Sequence, residues 1–394
     1  MTKLNQKTII KIGETIRKPL SLYIHIPFCN SKCAYCNFVS GVGNLSQKAR
    51  YTANLIEEIR MRAKEFNPRY EIVTIYIGGG TPSCMPPKTI SSILNEIYSK
   101  FTVRNQAEIT LEVNPESVTH EKVIEYVRAG VNRISMGLQC IEPSILALMN
   151  RKHTLQDFEN AVAEFRNAGI NNISADIILG YPNQTLSYVN ATVNKLIQMD
   201  IPHISAYMLQ VEEGTVLAAS VENKKLVVPS EKETIMMYQN VVKLLRNAGY
   251  TRYEVSNFAK TGFRSKHNQV YWDRGEYLGL GLSSHSFVDG IRFANFENMQ
   301  KYVERIENLK LPVESIDRVS QADAKEEYIM LKLRMESGID LDDYKKQFNE
   351  DFIEKNKEKI AELIKLNLLK IEENHIKATD SGFLVLNRII LELV

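Results

Sequence analysis

The stretch Leu22-Tyr-Ile-His-Ile-Pro-Phe-Cys29, followed closely by Cys33 and Cys36, decides how the rest of this chain is read. A short apolar run that stops at Pro27 reads as a strand, and the three cysteines fall in the loop at its carboxyl end. The spacing Cys29-x3-Cys33-x2-Cys36 offers three thiolates, enough to hold three irons of a cubic 4Fe-4S cluster. No cysteine nearby supplies the fourth ligand that such clusters usually take, so one iron is left open to another molecule. Zinc is the competing reading, since Cys33-x2-Cys36 alone matches half of a four-ligand site; Asn37-Phe-Val-Ser40 then offers neither a second pair nor a histidine. Covalent heme attachment needs a histidine where Asn37 stands, and a redox pair of Cys33 and Cys36 leaves Cys29 unexplained.

Outward from that stretch, short β-branched runs alternate with longer helical patterns. Leu22 to Ile26, Ile72 to Ile77, Ile109 to Val113, Arg133 to Leu138, Ile173 to Ile178 and His203 to Met208 read as strands. Lys48 to Phe66, Lys88 to Lys100, Glu121 to Ala129, Leu155 to Ala168 and Leu186 to Met199 read as the helices between them. Strict alternation implies right-handed βαβ units on a parallel sheet, with the site at the carboxyl ends of the strands. The expected fold is therefore α/β, an open (β/α)6 partial barrel whose lateral gap admits a large flat substrate. In the first strand Leu22, Ile24 and Ile26 alternate with Tyr23 and His25, so one face packs and the other looks inward. His25 by itself reads equally as a satisfied polar residue of the interior.

The cysteine spacing resembles the signature of the radical S-adenosylmethionine (SAM) superfamily, in which SAM chelates the open iron. That resemblance implies that Gly79, Gly80 and Thr81, in the run Gly78-Gly-Gly-Thr-Pro82, contact the amino group of SAM. A glycine run at a strand end exposes backbone polar groups to a ligand, and is otherwise simply a loop. Glu112, Gln139 and Asp176 lie at or near strand ends as candidates for the ribose hydroxyls, and Arg151 for the carboxylate, which a guanidinium suits. Judged singly, each also reads as an ordinary structural hydrogen bond or salt bridge.

A narrower resemblance rests on Leu22-Tyr-Ile-His-Ile-Pro-Phe-Cys29, Gly78-Gly-Gly-Thr-Pro82, Gly130-Val-Asn-Arg-Ile-Ser135, Asp176-Ile-Ile-Leu-Gly-Tyr-Pro182 and Tyr253-Glu-Val-Ser-Asn-Phe-Ala259. Together these are similar to the oxygen-independent coproporphyrinogen III oxidase family over essentially the whole chain, and by that similarity Tyr23 and Tyr35 also lie against SAM. Two departures separate the chain from the oxidases themselves: Phe38 stands where they carry a fourth cysteine, and 28 residues precede Cys29 where they carry a longer arm. Ser265-Lys-His-Asn-Gln-Val-Tyr-Trp272 and Gly279-Leu-Gly-Leu-Ser-Ser-His-Ser286 resemble segments of the HemW branch. The resemblance implies a heme chaperone that hands heme to acceptor proteins, with a 4Fe-4S cluster, exchangeable SAM and no decarboxylase activity. It further implies a flavodoxin- or ferredoxin-type electron donor if SAM is cleaved. His267, His285 and His25 are the candidate axial ligands, each also readable as a packed residue. An anaerobic porphyrinogen oxidase and a radical enzyme acting on heme remain the alternatives.

Composition agrees with a cytoplasmic protein of more than one domain. The chain has 394 residues, 44% of them hydrophobic, and three of its five cysteines are clustered, a metal-binding pattern rather than a disulfide framework. Met1 to Lys11 contains no apolar run of signal-peptide length, and no later stretch approaches a membrane span, although peripheral contact with membrane acceptors stays open. A net charge of +2 from 49 basic and 47 acidic residues makes no electrostatic case for nucleic acid. Cys84 and Cys140 read as small buried hydrophobes.

From Val313 the pattern becomes mainly helical, which divides the chain into a core domain, 1–312, and a small carboxyl-terminal domain, 313–394. Ala322 to Glu336 stops before Gly338, Leu341 to Phe348 and Phe352 to Leu366 follow, then a ribbon Leu368 to Ala378. A last helix opens at Thr379-Asp380 and carries Phe383, Leu386, Ile390 and Leu393 on one stripe. The order resembles a winged helix. Lys and Glu are mixed along Lys345 to Lys370, so no basic face forms and the domain reads as a lid or docking module.

Overall fold

A computed structural model gives the architecture and describes residues 17–394; the stretch Met1 to Lys11, read above for a leader, lies outside the described residues. Six parallel strands form the centre: β1 (Lys18–Ile26), β2 (Tyr70–Gly79), β3 (Val103–Val113), β4 (Arg133–Gln139), β5 (Ile173–Leu179) and β6 (His203–Met208). The helices α1 (Leu45–Phe66), α2 (Pro87–Lys100), α3 (His120–Arg128), α4 (Leu155–Asn167) and α5 (Leu186–Gln198) connect them. Capping explains why the helices start where they do: Asn44 and Thr154 form reciprocal boxes with Gln47 and Asp157, and Thr119 and Thr185 cap α3 and α5.

Side-chain alternation along the six strands builds the inside of the barrel. One set is apolar and packs under the helices: Leu22, Ile24 and Ile26, then Ile75 and Ile77, Leu111, Ile134 and Met136, Ala175 and Ile177, and Ile204, all in one core cluster. The other set is polar. Strand register joins it into rows: Tyr23 pairs with Tyr76, Tyr76 with Thr110 and Thr110 with Arg133, while Glu112 pairs with Ser135, Ser135 with Ser174 and Ser174 with His203.

The sheet extends beyond the expected six units. Additional strands β7 (Thr251–Arg252), β8 (Asn257–Ala259), β9 (Tyr277–Leu280), β10 (His285–Val288), β11 (Ile291–Asn295) and β12 (Val313–Arg318) give the order β12-β11-β10-β9-β1-β2-β3-β4-β5-β6-β8-β7. Between β8 and β9, helix α6 (Lys266–Trp272) packs against the open side, with the Lys266 and His267 amides on the two carboxylate oxygens of Glu108, each at 3.0 Å. The boundary expected at 313 is displaced, because Val313–Arg318 pairs antiparallel with β11. A separate apolar cluster begins at Tyr328 and runs to Leu393.

In the region of that second cluster, a pair of expected helices is broken. Phe352 to Leu366 divides at Asn356, whose side-chain amide turns back to the Phe352 carbonyl, and the last helix divides at Val385. A three-stranded ribbon of Ile339–Asp340, His375–Ala378 and Leu369–Glu372 completes the winged-helix-like order.

A buried carboxylate ties α1 to the late strands. Glu58 accepts from the Gly281 amide at 2.8 Å, Asn295 Nδ2 at 2.6 Å and Tyr302 Oη at 2.7 Å. Glu58→Ala is expected to lower stability by about 3 kcal/mol, because three donors lose their buried acceptor. Urea unfolding followed by circular dichroism measures it.

Candidate functional site

The cysteine loop is held by backbone contacts on both sides. Ala34 N donates to Met149 O at 3.0 Å and Ala34 O accepts from Leu217 N at 2.8 Å, so the loop is pinned without use of its thiols. Cys29, Cys33 and Cys36 all line one cavity of about 380 Å³ at the carboxyl ends of the strands. Thr81 Oγ1 lies 3.5 Å from Cys29 Sγ, and Arg151 Nη1 lies 3.6 Å from Cys33 Sγ. Among the described residues, no group of three His, Cys, Asp or Glu side chains is arranged to hold a single metal ion. Thiolates that each take a different iron of a cluster need not close on one point.

The same cavity gathers Tyr35, Gly79, Gly80, Thr81, Glu112, Gln139, Arg151 and Asp176. Gly80 sits so tightly that a Cβ there would lie 2.6 Å from the Phe28 carbonyl oxygen, and its amide donates to Ile26 O at 2.8 Å. Glu112 accepts from Tyr76 Oη at 2.7 Å and from the Gly79 amide at 3.2 Å. Burial inside the barrel pushes its carboxyl up to about 7, the Tyr76 hydrogen bond opposing. Burial likewise raises Asp176, whose Oδ2 accepts from Ser135 Oγ at 3.1 Å. Arg151 spends Nη2 on Gly137 O and Asn114 Oδ1, at 2.8 and 2.9 Å.

Three buried polar atoms of residues lining this cavity have no hydrogen-bond partner among the described residues: Arg133 Nε, Arg151 Nε and Asp176 Oδ1. Two cations and one carboxylate with unused capacity match a ligand that carries both charges and hydrogen-bonding groups, as SAM does. The donor set therefore fits a cluster with SAM on its open iron.

Tyr23 departs from the expected set. It lines an adjoining cavity of about 490 Å³, where its hydroxyl is 3.0 Å from His25 Nδ1 and its ring stacks on Tyr76. The two cavities share Asn37, Phe38, Gly79 and Glu112. Two of the three candidate heme ligands are already engaged. His25 Nε2 lies 3.0 Å from Val39 O in addition to the Tyr23 contact. His267 is buried, with Nδ1 2.7 Å from Thr74 Oγ1 and Nε2 2.9 Å from Tyr271 Oη. His285 lines the adjoining cavity and is exposed.

Tyr76, Asn114, Arg133 and Ser135 also line the cysteine cavity and escaped the sequence reading. Their signal was a polar residue at every second strand position, which becomes a site only when the strands lie in register. Cys84 and Cys140 do not line it: Cys84 Sγ faces the Phe28 carbonyl at 3.3 Å, and Cys140 is buried in a small apolar cluster.

Known proteins resemble this chain in both of its parts. A model of the Radical SAM superfamily matches residues 23–196, and one of the HemN C-terminal domain matches 319–385. The chain is 34% identical over 368 residues to heme chaperone HemW of Lactococcus lactis, covering 93% of this chain and 95% of that one. It is 33% identical to heme chaperone HemW of Bacillus subtilis, over 84% of this chain and 86% of that one. Coproporphyrinogen III oxidase (HemN) of Escherichia coli shares the fold with a TM-score of 0.84 at 22% identity, over 96% of this chain and 90% of the other. Similarity of this extent along most of both chains means that this chain belongs to the HemW family of the radical SAM superfamily.

Proposed function

We propose that this protein is a heme chaperone, taking up heme and passing it to acceptor proteins, with a 4Fe-4S cluster on Cys29, Cys33 and Cys36. The observation that carries the reading is the pair of adjoining cavities, one polar and cysteine-lined, the other walled by aromatic rings, with Asn37, Phe38, Gly79 and Glu112 in both. The names of the relatives support it.

When bound, the cluster with SAM supplies one-electron chemistry at a sulfonium, given a flavodoxin- or ferredoxin-type donor. The chain's own residues would position SAM. The amides of Gly79, Gly80 and Thr81 are spent on Glu112, Ile26 O and Phe28 O, so this run offers SAM carbonyls rather than N–H groups, while Arg151 offers its unused Nε, and Glu112, Gln139 and Asp176 acceptors for hydroxyls. Exchangeable SAM then acts as a ligand that sets the state of the neighbouring cavity through the shared residues. No helix among the described residues is long and apolar enough to cross a membrane, so delivery to a membrane acceptor would be by surface contact.

Oxidation of coproporphyrinogen III is the second reading, favoured by the fold shared with HemN. Anaerobically purified, cluster-replete protein is expected to shift the heme Soret band on titration and to form no protoporphyrinogen from coproporphyrinogen III with SAM and reductant. Turnover to protoporphyrinogen would replace the chaperone reading; failure to take up heme would end it.

A further inference from the structure

We propose that heme is held in the cavity beside the cysteine site, with the imidazole of His285 as its single protein ligand to iron. The inference rests on the heme-carrier reading and adds the location and the ligand.

All seven histidines lie among the described residues, and six have their ring nitrogens committed or lie elsewhere. His25 and His267 are paired at both nitrogens. His203 is buried between Ser174 Oγ and Tyr253 Oη, at 2.7 and 2.8 Å. His153 is buried with Nε2 on Leu138 O. His120 pairs with Glu164, and His375 with the Glu373 carbonyl, and neither lines either cavity. His285 alone combines an exposed imidazole, no hydrogen-bond or ion-pair partner among the described residues, and a place in a cavity wall.

The surroundings suit a flat, apolar macrocycle. Tyr23, Tyr271, Tyr277 and the 62% exposed Phe38 contribute rings to the cavity, whose volume of about 490 Å³ falls in the range of small-molecule sites. Tyr271 and Tyr277 meet edge to face at 4.7 Å, which fixes that wall. No lysine or arginine lines the cavity, so the two propionates stay at the mouth in water.

The imidazole projects from the first residue of β10, whose backbone is held against its neighbours. A Cβ on Gly279 would lie 2.3 Å from the His285 carbonyl oxygen, so only glycine lets the two segments approach. Gly279 N donates to Ser286 Oγ at 2.9 Å, and Ser284 Oγ to Gly281 O at 2.8 Å. The backbone that carries the ring needs no reordering on binding, which leaves only the rotamer of the imidazole to be fixed. A single imidazole leaves the opposite face of the iron free. An acceptor's ligand can bond there before the bond to His285 breaks, with no electron transferred and no change in the iron's oxidation state.

The test is heme titration of the cluster-replete full chain and of His285→Ala, followed by the Soret band and by electron paramagnetic resonance. The variant is expected to bind heme at least ~10-fold more weakly and to lose the imidazole-type spectrum, while its iron-sulfur absorbance and circular dichroism stay those of the wild type. Added free imidazole should restore heme that co-elutes with the variant on gel filtration, which a merely structural role would not allow; the imidazole-type spectrum alone does not count, because free imidazole ligates unbound heme as well. Wild-type uptake with an unchanged spectrum and affinity in His285→Ala overturns the ligand and leaves the carrier reading standing. Absence of uptake by the wild type removes both.

Discussion

Cys36→Ala is expected to purify as a folded protein that has lost its brown chromophore and its acid-labile sulfide. The loop that carries Cys36 is fastened through Ala34 to Met149 and Leu217 by main-chain hydrogen bonds, so the variant should keep its fold. Two thiolates remain, and two are too few for a cube that takes one protein ligand per iron at three of its four corners. Cys84→Ser is the informative companion. Its sulfur is near the same loop but turned to the Phe28 carbonyl and outside the cysteine cavity, so iron and sulfide should be unchanged. Iron and sulfide analysis of anaerobic preparations decides the matter. Wild-type sulfide in Cys36→Ala would remove Cys36 from the ligand set, and stoichiometric zinc with no sulfide in the unaltered protein would remove the cluster and every role assigned around it.

The six central strands were legible because each is a short β-branched run alternating with a longer helical pattern. The late strands were not. Tyr277–Leu280 and His285–Val288 fall in a glycine-rich stretch that reads as a loop, and they are strands because β1 offers a free edge on which they can pair. The same holds for Val313–Arg318, exposed at all but Val313 and half of it charged, whose strand character comes only from its partner β11.

The site divides in the same way. Local motifs, cysteines at fixed spacing and a glycine run, announced themselves. Tyr76, Arg133 and Ser135 did not, since a polar residue at alternate positions of one strand means little until five neighbours do the same. Nor does spacing tell whether a histidine is free. His267 sits in a motif that invites a ligand role, yet Thr74 and Tyr271 occupy both nitrogens.

Glu112 offers a test in which stability and ligand binding move in opposite directions. Its carboxyl, pushed up to about 7 by burial, holds a proton more tightly in the folded chain than in the unfolded one. The stabilising contribution is therefore fully present below the ordinary carboxylate value and is lost as pH rises toward about 7, after which it stays constant. Over that window the loss is about 3 kcal/mol at most, from roughly 1.4 kcal/mol per unit. Glu112→Gln keeps an acceptor for Tyr76, gives up the 3.2 Å bond from the Gly79 amide and has no charge to bury, so without SAM it is expected to be more stable than the wild type by about 1–3 kcal/mol near pH 8, the gap closing near pH 5. SAM affinity should fall at least ~10-fold, because a charged acceptor for ribose hydroxyls, set beside Asp176 and opposite Arg133, becomes neutral. Urea unfolding at the two pH values and calorimetric titration with SAM read the two halves separately. A variant less stable near pH 8 would mean that the carboxylate is already compensated within the barrel. Unchanged SAM affinity would place the ribose elsewhere, with Gln139 and Asp176 left to hold it.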